Sequence, residues 1–198
     1  MSSGSRISTY KKSSIYERNL NHTKNMEISQ AAFSFLFSEI VRYIQKRVQG
    51  IHELEKRLNI QGYRVGQKLL ELITWREKNF KREIRILGIL QFIFSNVWKT
   101  IFNKQPDALE KSKESEDESI DMIIDNEPMV NKYISVPKEM AQLNCAAFVA
   151  GIVEAIMDGS RFPSKVTAYS VPTHTFPNRT VILIKINENV LEREKYLK

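Results

Sequence analysis

The sequence predicts an α+β fold in a single domain, with helices packed on one face of a four-stranded antiparallel sheet. Three observations predict it. The stretch LNCAAFVAGIVEAIM (143–157) reads as a helix with almost no polar face, and a helix that is apolar all round is a buried one. Apolar residues recur at helical spacing up to about residue 104, and at a period of two from residue 120 onward. Helices and strands are segregated along the chain rather than alternating, which is the α+β arrangement.

Residues 1–27 are rich in Ser, Asn, Lys and Arg without periodicity and are expected to form a flexible basic tail. The domain is expected to fill 28–198. Ser29 is placed to cap a first helix that runs to about Val48 and stops before Gly50. Phe33, Leu36, Phe37, Ile40, Ile44 and Val48 make its apolar stripe, with Phe35 and Tyr43 off that stripe. A second helix spans 51–76 on Leu54, Leu58, Val65, Leu69, Leu72 and Ile73. Gly62 and Gly66 predict a kink or short break near Gln61. The run GYRVG there is not a phosphate loop, since it lacks the Gly-Lys-Ser/Thr ending. REKNFKRE (76–83) is a charged link to a third helix over 84–102, whose large side chains include Ile84, Leu87, Ile93, Val97 and Trp98.

Residues 105–119 read as an acidic mobile loop. IDMIID (120–125) is a first strand with Ile120, Met122 and Ile124 on one side; Pro128 breaks it, and 130–136 returns as a second. The buried helix follows, with Asn144 as its cap and Asp158-Gly159 as its close. Strands at 165–171 and 180–186 pair antiparallel across the loop PTHTFPNR. LEREKYLK ends the chain as a short exposed helix.

The 198 residues suffice for one domain with a proper core. Charge is uneven. Residues 1–104 hold 19 Lys and Arg against 8 Asp and Glu, whereas 105–127 hold 2 against 9. The basic half favours phosphates or anionic lipid heads, and gives an alternative reading as a peripheral protein binding membrane surfaces. The uncharged run within 84–102 is too short to span a bilayer, which needs roughly 20 apolar residues. The first residues, MSSGSRISTYKK, have no apolar core of the secretory kind. A high pI of 9.4 alone does not make a nucleic-acid binder, and no helix-turn-helix, zinc-finger or RNP-like pattern supports one.

No chemistry is spelled out. His22, His52 and His174 are scattered, without metal-ligand spacing. Cys145, the single cysteine, lies in the apolar helix, where burial raises a thiol pKa and makes it inert. No serine sits in a nucleophile elbow. The acids of 107–127 lack an EF-hand pattern. The expectation is a non-enzymatic domain, without catalytic residue, cofactor or metal, whose apolar surplus serves interaction.

Several runs then carry a resemblance: REKNFKRE leading into ILGILQFIFSNVWKTIF, then NKYISVPKE, LNCAAFVAGIVEAIM and FPSKVTAY. In this order, over about 28–198, the chain resembles the subunit 5 branch of the small-subunit family of TRAPP, the transport protein particle that tethers vesicles. The resemblance implies the same two-layer fold. It also implies a place in an elongated assembly whose small subunits pair side by side through their first two helices. It further implies a cytoplasmic, peripheral location at the cis-Golgi and endoplasmic reticulum. Through the assembly it implies promotion of GDP release from a Rab-type GTPase, which this subunit would support structurally, with membrane contact indirect. A sister subunit in this family carries an acylated cysteine just before its third helix; the corresponding stretch here, 78–82, has none. The loop PTHTFPNR is longer than the resemblance leads one to expect. Phe35 and Tyr43 on the first helix, with Leu54 and Leu58 on the second, are the candidate partner-binding residues.

Overall fold

A computed structural model of the chain describes residues 28–77, 81–111, 120–140 and 142–197. The tail expected at 1–27 lies outside the described residues. Two helices come first, α1 (Gln30–Gln45) and α2 (Ile51–Arg76), joined through Gly50 at φ 92°. The third helical rod is composite: α3 (Ile86–Phe92), a π-helical turn (Ile93–Val97) and α4 (Trp98–Phe102) follow without a gap. The strands are β1 (Ala108–Lys111), β2 (Ile120–Asp125), β3 (Ser164–Ser170) and β4 (Thr180–Ile186). Helix α5 (Ala147–Gly159) lies between β2 and β3, and α6 (Glu188–Tyr196) follows β4. The sheet order is β1-β2-β4-β3, antiparallel throughout.

Helix α5 is the centre of the core. From Ala147 to Met157 every residue except Glu154 is buried. Burying Phe148, Val149, Ile152 and Ile156 stabilises the fold by about 2 kcal/mol each as an upper figure. Asn144 Oδ1 accepts the Ala146 N–H at 2.9 Å and so caps a tightened first turn. Glu55 of α2 in turn accepts the Asn144 N–H at 2.9 Å. The helix does not close on Gly159 as expected. Arg161 takes the left-handed turn at φ 65°, and the Phe162 N–H reaches back to the Met157 carbonyl at 2.8 Å. That six-to-one bond is the Schellman closure, which a non-glycine residue enters here at some local cost.

Helix α2 is continuous over 26 residues, so no short break interrupts it near Gln61. Gly62 and Gly66 are buried against α5 instead. A Cβ on Gly62 would run into the Phe148 backbone carbonyl, and one on Gly66 would lie 2.6 Å from the Ile152 carbonyl oxygen. Gly151 answers from the other side, facing the Asn59 carbonyl. The glycines let two helix backbones touch, which accounts for them without a break in the helix.

Two of the expected strands are correct in extent, β2 and β4, and a third starts one residue early. The fourth is not where the pattern put it. Residues 130–136 form turns: the Asn131, Lys132 and Ile134 amides bond to the carbonyls of Pro128, Met129 and Asn131. Prolines at 128 and 137 bracket this segment and favour turn over ladder. Its place in the sheet is taken by β1, inside the stretch expected to be loop, with Leu109 opposite Ile123. In β2, Ile120, Met122 and Ile124 do share a side, but the residue in the main core is Ile123, opposite Ile182. Asp125 lies on that same side and is buried, its carboxylate held by Lys104 at 2.6 Å. Helix α6 is docked as well as exposed: Val190 is buried, Arg193 stacks over the Phe162 ring, and Glu194 binds Arg85 at 2.8 Å.

Candidate partner interface

Helix α1 turns Phe37, Val41 and Ile44 into the core. Its opposite side is mixed, with the exposed pair Glu39–Arg42 set among large apolar residues. Phe35 is 75% exposed, Leu36 63% and Tyr43 58%. Leu36 belongs to the expected inward stripe, yet it stands outside with Phe35. Arg47 packs 3.5 Å above the Tyr43 ring and donates to the Tyr43 carbonyl, which holds the ring against the end of the helix.

On α2 the expectation fails for two residues. Leu54 and Leu58 are buried to within 1% and belong to the core, so neither is available to a partner. They lie on the side that faces α1 and α5, where a leucine stripe at helical spacing belongs. The exposed large apolar residues of α2 are Ile60, Val65, Leu72 and Trp75, with Trp75 67% exposed. Val65 and Leu72 are seven apart and Trp75 three further on, so they follow one side of the helix. The signal for Trp75 was present in the sequence: it falls next to the charged end of the helix, off the buried stripe.

Burial pushes the Cys145 thiol up to about 12, with a smaller push from the Glu55 charge. Burial, aided by the hydrogen bond to Asp158, also raises the Tyr63 hydroxyl. Asp121 is raised by burial and partly restored by Lys111. His52 and His174 are exposed and separate; His22 lies outside the described residues. No group of three or more His, Cys, Asp or Glu side chains among the described residues is placed to hold a metal. No helix among them is long and apolar enough to cross a membrane. The loop after β3 is tied to itself: Val171 and Thr173 amides bond to the carbonyls of Arg179 and Phe176.

Comparison with known proteins decides the family. A family model described as a transport protein particle (TRAPP) component matches residues 33–187. The chain belongs to the TRAPP family. Trafficking protein particle complex subunit 5 of Dictyostelium discoideum is 52% identical over 90% of this chain and 95% of its own length. The human subunit 5 is 43% identical, covering 94% of each. Subunit 31 of Saccharomyces cerevisiae is 28% identical over 94% of this chain and 85% of its own length. In fold, the TRAPP chain matches subunit 3 from Naegleria fowleri, a protein covalently bound to palmitic acid. The TM-score is 0.66 at 13% identity, covering 80% of this chain and 95% of that one. The one cysteine of the TRAPP chain, Cys145, is 2% exposed in the turn that leads into α5.

Proposed function

We propose that this chain is a non-catalytic, structural subunit of a TRAPP vesicle-tethering assembly, docked beside a sister small subunit through the outward sides of α1 and α2. The observation that carries the reading is the exposure of Phe35, Leu36 and Tyr43 on α1 with Val65, Leu72 and Trp75 on α2. Large apolar and aromatic side chains displayed along two neighbouring helices cost solubility unless a partner covers them. The family membership names the kind of partner. In the assembly the chain supports guanine-nucleotide exchange on a Rab-type GTPase by holding its neighbours in place. It works peripherally at the cis-Golgi and endoplasmic reticulum, with membrane contact made by the assembly as a whole.

The test is co-purification with a sister TRAPP small subunit. Phe35→Glu places a charge where the partner must desolvate it, and the pair is expected to fall apart while the circular dichroism of the chain is unchanged. Trp75→Glu does the same from α2. Association that survives both changes overturns the assignment of this face.

A further inference from the structure

Helix α3 starts on a residue that cannot cap it. Its capping position is held by Arg85, and its first turn carries no acid. Arginine has only donors, so it cannot accept the free amides of a helix start, and its charge opposes the positive end of the helix dipole. The acceptor comes from α6, 108 residues further along the chain. Glu194 takes the Ile86 N–H on one carboxylate oxygen at 3.3 Å and the Arg85 Nε–H on the other at 2.8 Å. Arg85 also donates to the Leu197 carbonyl at 2.8 Å. Glu83 lies against Gly88 of the same first turn but makes no hydrogen bond among the described residues.

Helix α6 has a second anchor. Arg193 lies 4.6 Å over the Phe162 ring and donates to the Arg161 carbonyl at 2.9 Å, at the left-handed turn that closes α5. Phe162 is buried there. Apart from these contacts α6 puts little into the core: Val190 is its one buried side chain among the described residues, with Leu191 partly buried. An element held by so little apolar area and by partly exposed polar contacts belongs to the low-stability end of a structure.

We propose that α6 is a strap that opens as a unit ahead of the rest of the domain, and that its seating orders the start of α3. Opening withdraws the side-chain acceptor from Ile86 and uncovers Phe162. The released turn carries Leu87, with Ile84 just before it, and both are exposed. The strap therefore governs whether this apolar pair is presented in a fixed arrangement. Glu194 is a positioning residue for α3, and Arg193 acts on α3 only through α6.

Hydrogen exchange of the native full chain, where exchange follows the opening equilibrium, tests this. Glu194→Ala is expected to speed exchange of the Ile86 and Ile89 amides roughly tenfold, the usual size of a lost cap. Arg193→Ala is the sharper variant. Its side chain touches neither amide, yet its loss is expected to speed both several-fold, together with the amides of α6, and to leave the Ala150 amide of α5 unchanged. If Arg193→Ala leaves Ile86 and Ile89 at the parent rates, the two anchors do not move together and the strap is overturned. Acceleration at Ala150 by the same factor overturns it as well, since the opening would then be that of the whole domain. Neither readout involves a sister subunit, so the α1–α2 face stands or falls separately.

Discussion

Helix α5 with the face of α2 it meets, and helix α1, carry the same mark in the sequence and meet opposite fates. Both read as apolar residues at helical spacing. In the first, small residues on both helices bring the backbones into contact, with Gly62 against Phe148 and Gly151 against Asn59. Everything between is buried. In the second, apolar residues circle the helix, one side enters the core, and the other stands in water at Phe35, Leu36 and Tyr43. The difference teaches that an apolar count does not say whether a helix is finished by its own chain. The presence of glycine and alanine opposite one another does.

The hardest way to break this contrast is at the glycines. Gly62→Leu puts a branched side chain where even a Cβ collides with the Phe148 backbone, and backbone cannot yield as a side-chain tip can. Overpacking of a tight contact costs typically 1–3 kcal/mol and here more, so soluble folded protein is expected to be lost. Gly62→Ala is expected to survive with a midpoint in urea clearly below that of the parent.

A matched pair of leucines sharpens it. Leu58, fully buried, should cost about 2–5 kcal/mol as alanine, seen as a lower denaturation midpoint. Leu36→Ala, on the exposed side of α1, should change stability of the single chain by less than about 0.5 kcal/mol, yet weaken the pairing with a sister subunit. If both leucines shift stability alike, α1 has no unfinished side.

Much of this was legible from the residues, and the failures have physical causes. The α5 helix, its Asn144 cap and the edges of β2 and β4 could be read because each rests on a local rule. The short break at Gly62 could not be refused locally, since a break and a close contact call for the same residue; only the partner helix decides. Leu54 and Leu58 were placed at the surface for want of that same partner. Strand β1 was hidden because ALEK has no marked alternation and gains its register from β2. The turns at 130–136 were hidden because Val130, Tyr133 and Ile134 resemble strand residues while their amides are consumed by the preceding carbonyls. Trp75 lies off the apolar stripe of α2, and a stripe marks what is buried without marking what a partner covers.

The thiol of Cys145 tests how closed the α5 side is. Its folded pKa, about 12, lies above the ordinary 9.0. The fold therefore holds the proton more tightly than the unfolded chain does. The resulting contribution is complete below about pH 9 and is lost as pH rises from there toward 12. Two outcomes follow. Stability should fall across that window more steeply in the parent than in Cys145→Ala. Alkylation of the native chain at pH 8 should be slower than that of the urea-unfolded chain by the factor set by opening, whereas a thiol accessible in the folded state would react at close to the unfolded rate.

The smallest expected effects lie at the two helix starts, and they make the contrast in its barest form. Asn144 accepts the Ala146 N–H inside the core, where that amide has no water to turn to. Asn144→Ala should cost about 1–2 kcal/mol, measured as a shift in the denaturation midpoint. Ser29 stands at the start of α1 as a cap by sequence, but its hydroxyl makes no capping hydrogen bond, and the residue is exposed. Water already serves the first amides of α1. Ser29→Ala should therefore alter stability by less than about 0.5 kcal/mol. A loss at Ser29 as large as that at Asn144 would mean that the start of α1 is as enclosed as that of α5, and the unequal completion of the two helices would no longer stand.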